Sequence, residues 1–160
     1  MGVRVRPLRP DERDWVRSLI LERWGDETAV GHGVVWRPTE LDGFVAQDDD
    51  GSRVGLLTFD VQNDALEVVT IDALREREGI GTALMLAAIE RAHAAAVSTV
   101  RVMTTNDNQP AIAFYQHLGF RVTEVREDAV ADSRVLKPSI PLVGVGGVPI
   151  TDEIILELEP

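Results

Sequence analysis

Five consecutive residues, Glu78-Gly79-Ile80-Gly81-Thr82, have the makings of an anion-binding turn. Glycines at 79 and 81 let the backbone take up turn geometry and approach a ligand more closely than a Cβ would allow. The alanine-rich apolar stretch 81–96 that follows predicts a helix. The first N–H groups of a helix are unbonded and sit at the positive end of its dipole. Such a turn suits a pyrophosphate. Taken alone, the same two glycines also describe an ordinary tight turn.

A second segment adds weight: Asn106-Asp107-Asn108-Gln109-Pro110-Ala111-Ile112-Ala113-Phe114-Tyr115-Gln116-His117-Leu118-Gly119-Phe120. Asn108 precedes Tyr115 by seven residues, and Leu118-Gly119-Phe120 follows. This segment resembles the second signature of the GNAT acetyltransferases. The run from Val68 to Leu84, strand then turn then helix, resembles their cofactor loop, in the same order and at the same spacing. The resemblance covers nearly the whole chain. Leu136 to Pro141 and Pro149 to Ile154 further resemble a bacterial branch of that superfamily.

The resemblance implies one domain over residues 1–160, of mixed α/β class, with a twisted sheet of six to seven strands and helices on both faces. It implies acetyl-CoA as cosubstrate and a small-molecule or peptide amine as acceptor. Backbone groups near Ile71 and Ala73 would pair with the pantetheine arm as an added strand. The N–H groups of Glu78, Gly79, Ile80, Gly81 and Thr82 would hold the pyrophosphate, and Asn108 would bond the pantetheine or phosphate region. Tyr115 would stand near the sulfur and protonate the leaving thiolate. The alternative is a non-catalytic acyl-CoA-binding or sensing module on the same fold.

The loop departs from the family pattern at two positions. Glu76 stands where Gln or Arg is usual, three residues before the first glycine, and Arg77 where glycine is frequent. Glu76 and Glu78 bring negative charge beside an anion. The loop is therefore read as working through backbone amides, with Arg75 or Arg77 offsetting the acids.

Acetyl transfer needs a neutral amine, and an alkylamine has a pKa of about 10, so a base or a proton-accepting water chain helps at neutral pH. Glu67 is the candidate base. A two-residue period puts it on one strand face with Val69 and Ile71; read otherwise, it is an exposed carboxylate beside the Asn63-Asp64 turn. Tyr115 likewise has a packing alternative next to Phe114. Trp24, His32 and Trp36 fall where GNAT proteins shape the acceptor pocket, yet each also reads as a packing or surface residue. His93 and His117 read as structural, and no His, Asp and Glu spacing suggests a metal. The resemblance implies direct acetyl transfer to a primary amine in a ternary complex, and the chain has no cysteine for a cysteine acyl-enzyme.

The elements that must position these residues follow from pattern. Strands are expected at 3–7, 43–47, 53–62, 65–73, 99–104, 120–126 and 154–158. The three from 43 to 73 form an antiparallel meander. Helices are expected from Pro10, with Trp15, Val16, Leu19, Ile20 and Trp24 at helical spacing, and over 81–96 and 110–118. Residues 25–33 read as loop or a short helix. Residues 127–149 form a connection long enough to be functional. It is either a lid, with Arg134 or Lys137 holding an acidic group of the substrate, or a homodimer contact.

The 160-residue chain carries a net charge of −11, which argues against nucleic acid and mildly favours a cationic partner. The N-terminus lacks the apolar core of a signal peptide. No apolar run approaches the roughly 20 residues of a membrane span. A cytoplasmic protein is the expectation.

Overall fold

The computed structural model describes residues 2–160. Seven strands form one mixed sheet. β1 (Arg4–Pro7), β4 (Asp42–Gln47), β5 (Arg53–Gln62) and β6 (Ala65–Ala73) pair antiparallel in that order. β7 (Thr99–Thr105) runs parallel to β6, and β9 (Glu153–Leu158) pairs antiparallel with both β7 and β8 (Arg121–Arg126). The parallel step is carried by α2 (Ile80–Ala94), since two parallel neighbours need a crossover. No helix among the described residues is long and apolar enough to cross a membrane.

Helices cover both faces. α2 buries Ile80, Leu84, Met85, Ala88 and Ala92 against Leu57, Phe59, Leu66 and Val68 of the sheet. Its start lies tight on β5: a Cβ at Gly55 would come within 2.6 Å of Ile80 and 3.0 Å of Leu84. Glycine there lets the loop end of α2 settle on the strand. α3 (Gln109–His117) packs on the same side through Phe114 and Tyr115. On the opposite face α1 (Arg13–Trp24) buries Val16, Leu19 and Ile20 against Leu56. Pro10–Glu12 is a single 3-10 turn, so α1 starts slightly later than the proline suggests. Glu12 is buried there between Arg6 and Arg53, and its hydrogen bonds from Arg6 hold its carboxyl down to about 2.

Three local features differ from expectation. Residues 25–33 are neither plain loop nor helix: β2 (Ala29–Gly31) and β3 (Val34–Trp36) make a hairpin. Its turn, His32-Gly33, has φ of 37° and 81°, the left-handed pair that a two-residue hairpin turn requires. Three-residue strands are too short to show a period. The 127–149 connection contains α4 (Val130–Leu136), which buries only Val130 and Ser133 and so presents no apolar stripe.

The third difference falls within β6. Thr58 pairs with Thr70 and Phe59 with Val68, so Val69 is an extra residue in a bulge. The bulge breaks the two-residue period. Ile71 and Ala73 pack with Leu66 and Val68 on the α2 face. Thr70 and Asp72 point to the α1 side, where the Thr58 and Thr70 hydroxyls meet at 2.6 Å and Trp24 donates to Asp72 at 3.4 Å. The expected sharing of a face by Glu67 and Ile71 is thus wrong, because the period counts a residue that the ladder skips.

The bulge also marks where β6 and β7 part. Their pairing ends at Val68 opposite Val102, while β6 runs on to Ala73 and β7 continues with β9 alone. The β6 edge from Val69 onward therefore presents unpaired backbone groups.

Candidate active site at the parting of two strands

Two cavities lie beside this gap. The first is an open cleft of about 590 Å3 on the α2 face. Ile71 and Ala73 form one wall, residues 75–77 and 79–82 close its end, and Pro110, Ala111, Phe114 and Tyr115 form the other wall. Arg77 and Gly79 both have positive φ, 62° and 72°, so the turn folds back on itself just before α2. The first α2 bond is from Ala83 N–H to Gly79 carbonyl at 2.9 Å, which leaves the N–H groups of Ile80, Gly81 and Thr82 without a helical partner. A Cβ on Gly81 would press on Phe114 at 3.2 Å. These residues fit an extended ligand ending in a phosphate: a strand edge for its amides, a glycine floor and a helix start for its anion.

Of the sequence-selected cofactor residues, Ile71, Ala73, Arg77, Gly79, Ile80, Gly81 and Thr82 border this cleft. Glu78 does not border it; its carboxylate lies 3.9 Å from Arg75. Arg75 is itself engaged by Asp48 at 2.9 Å, while Arg77 has no salt bridge among the described residues. Asn108 caps α3, accepting from Ala111 N–H at 3.3 Å, and borders the second cavity instead.

Tyr115 lines the cleft with its ring packed on Phe114 and Phe120. Burial, aided by the charge of Asp72, pushes its hydroxyl up to about 12. Such a phenol keeps its proton at neutral pH and can donate it to a developing anion. Asp72 is a buried carboxylate that sequence reading passed over. Desolvation raises its pKa, against the pull of Trp24 and Arg23. An acid inside the run Val68-Val69-Thr70-Ile71-Asp72 was the available signal.

The second cavity, about 280 Å3, lies across the gap on the α1 face. Val69 and Thr70 of the bulge, Thr104, Thr105 and Asn108 border it at the gap. Trp24 lies on its wall, whereas His32 and Trp36 do not. Trp36 instead donates to Asp60 at 3.1 Å and stands edge-on to the His32 ring. The 127–149 segment supplies a wall with Lys137, Ser139, Ile140 and Pro141. Its Arg134 bonds the carbonyls of Ile140, Pro141 and Ile150, so that side chain braces the segment and is not free for a substrate.

Glu67 is buried and borders neither cavity. Its two oxygens lie 3.1 and 2.9 Å from His32 Nε2, and Arg101 stands 3.8 Å away. The bond to Glu67 raises the His32 pKa, with burial opposing and Glu153 adding to the rise. A raised His pKa means stabilisation fully present below about pH 6.5 and lost as pH climbs through the folded value. His32→Gln should therefore cost more stability at pH 6 than at pH 9, as read from urea midpoints at both pH values. An equal cost at both would mean that the pair contributes no charge interaction.

Comparison with known proteins decides the family. A model of the acetyltransferase (GNAT) family matches residues 7–120. The chain belongs to this family. It is 37% identical over 147 residues to YxbD of Bacillus subtilis strain 168, itself uncharacterized, spanning 92% of each protein. The same fold is seen in an IAA acetyltransferase from Bacillus cereus, with a TM-score of 0.77 at 22% identity over 99% of this chain and 100% of that one. A GNAT acetyltransferase from Elizabethkingia anophelis with acetyl-CoA bound superposes with a TM-score of 0.70 at 17% identity, over 99% and 98% of the two chains. The mixed α/β sheet of seven strands with helices on both faces is the architecture expected from the sequence.

Proposed function

We propose that this GNAT protein is an acetyl-CoA-dependent N-acetyltransferase that moves an acetyl group directly to a primary amine within a ternary complex. The observation that carries this reading is the meeting of two cavities at one gap. Consecutive residues of β6, Thr70 and Ile71, border the acceptor cavity and the cofactor cleft respectively. A donor in one and an acceptor in the other would meet where β6 and β7 part. Holding both reactants in that way is worth up to roughly 7–11 kcal/mol of barrier.

Acetyl-CoA would supply an activated acetyl thioester. The free β6 edge at Ile71 and Ala73 would align its pantetheine arm, and the N–H groups from Glu78 to Thr82 would take its pyrophosphate, with Arg77 as the nearby cation. Asn108, at the junction, has its amide N–H groups left for the ligand. Tyr115 is proposed to donate a proton or a strong hydrogen bond to the leaving thiolate. Glu67 is proposed as proton acceptor for the amine, reached through water, since it borders neither cavity. A cytoplasmic location belongs to the same reading. The apolar side chains left exposed on the 127–149 segment, including Val135, Leu142 and Val143, support a homodimer, which light scattering would report.

The test is release of free thiol from acetyl-CoA across a panel of amino acids, polyamines, aminoglycosides and peptides. Amine-dependent release at a rate well above hydrolysis is expected. Tight CoA binding without release for every amine would leave a non-catalytic CoA-binding module.

A further inference from the structure

The acceptor cavity has an uneven charge pattern. Its walls are mostly apolar, with Ile20, Val30, Met103, Ile140 and Ile150 among them. No Asp or Glu borders it, and its one basic residue is Lys137. The residue is only 8% exposed. Its ammonium donates to the Thr28 carbonyl at 2.6 Å and makes no salt bridge among the described residues. Asp26 acts on it only at longer range, and burial draws its pKa down. A buried cation left with one carbonyl is costly unless an anion completes its shell.

Resting on the transferase reading above, we infer that the acceptor is an amino acid with an apolar body, its carboxylate held by Lys137 and its amine at the Thr70–Asn108 gap. The cavity has a volume of about 280 Å3. That is room for a ligand of the size of leucine or phenylalanine. One lysine without a second basic neighbour matches a singly charged carboxylate better than a dianionic phosphate. A polyamine would enter a cavity that has a cation and no carboxylate. The chain's net charge of −11 attracts cations only at long range and does not extend to this wall. Arg134, the other basic residue of the segment, is spent on three backbone carbonyls.

Two measurements on the full-length protein test the assignment. In thiol release, leucine and phenylalanine should exceed their decarboxylated counterparts, isoamylamine and phenethylamine, by about tenfold or more in kcat/KM. Lys137→Met should erase that preference, and Lys137→Arg should restore part of it. Polyamines outperforming the amino acids, or a Lys137→Met enzyme that keeps the preference, would overturn the inference. The second measurement needs no turnover: calorimetry of N-acetyl-leucine binding to the protein saturated with CoA. Binding is expected to the wild type and to weaken about tenfold or more in Lys137→Met, with thermal melting confirming that the variant is folded. Absence of binding to the wild type, or equal binding to both, counts against Lys137. Failure of all amines to release thiol would sink the transferase reading instead, and the binding result would still decide the carboxylate site.

Discussion

Gly81→Asp is expected to weaken CoA binding by roughly a hundredfold while the protein stays folded. Gly81 is the second residue of α2 and borders the cleft, where its N–H has no helical partner. A carboxylate placed there competes for the same N–H groups and repels the pyrophosphate. Charge-assisted hydrogen bonds contribute about 1.5–3 kcal/mol each, and each 1.4 kcal/mol is tenfold in affinity. The helix itself should tolerate the change, because an acidic side chain in the first turn complements the dipole. The contact with Phe114 at 3.2 Å requires only a small shift of that ring. Calorimetry on the variant with an intact thermal transition separates binding from folding. Unchanged CoA affinity in a folded variant would remove the phosphate cradle from the account.

Tyr115→Phe is expected to lower kcat by about a hundredfold with little change in the affinity for acetyl-CoA. General acid catalysis contributes about 10²–10⁴ in rate. The ring is retained, so its packing against Phe114 and Phe120 survives. The hydroxyl matters when negative charge develops on sulfur, and an interaction made only then appears in kcat rather than in binding. A phenol held at about 12 is a weaker acid than a thiol of about 8.5, so much of its effect would come from a hydrogen bond to the thiolate rather than complete transfer. Steady-state kinetics with a responsive amine would show the separation. A variant with wild-type turnover leaves Tyr115 as a core aromatic.

Much of this site was legible because its parts are local. The glycine turn, the helix it starts and the strand before it are contiguous, so Ile71, Ala73, Arg77 and Gly79 through Thr82 arrive in the cleft together. Tyr115 follows from the short helix that Pro110 opens. What escaped notice was set by pairing across distance. The bulge at Val69 exists only in the register between β5 and β6, and no count along one strand reveals it. Glu67 pairs with a histidine 35 residues earlier, at the tip of a hairpin whose strands have three residues each. That contact engages both oxygens of the candidate base at the hairpin tip. Lys137 and Arg134 look interchangeable in sequence, yet one faces the cavity and the other braces its own loop.

The bulge matters to the proposed function in two ways. It sits where the β6–β7 ladder ends, at Val68 opposite Val102, and in the proposed reading the strand edge beyond it takes the extended ligand. It also turns Thr70 toward the α1 face while keeping Ile71 on the α2 face, which are the acceptor and cofactor sides of the proposed reading.

Direct transfer between those cavities is the central claim, and two-substrate initial-velocity kinetics test it most directly. Thiol release measured against acetyl-CoA concentration at several fixed amine concentrations should give double-reciprocal lines that intersect, because both ligands must be bound before reaction. Parallel lines, the mark of an acetylated enzyme that releases CoA before the amine binds, would contradict the account, as would thiol release that does not depend on the amine.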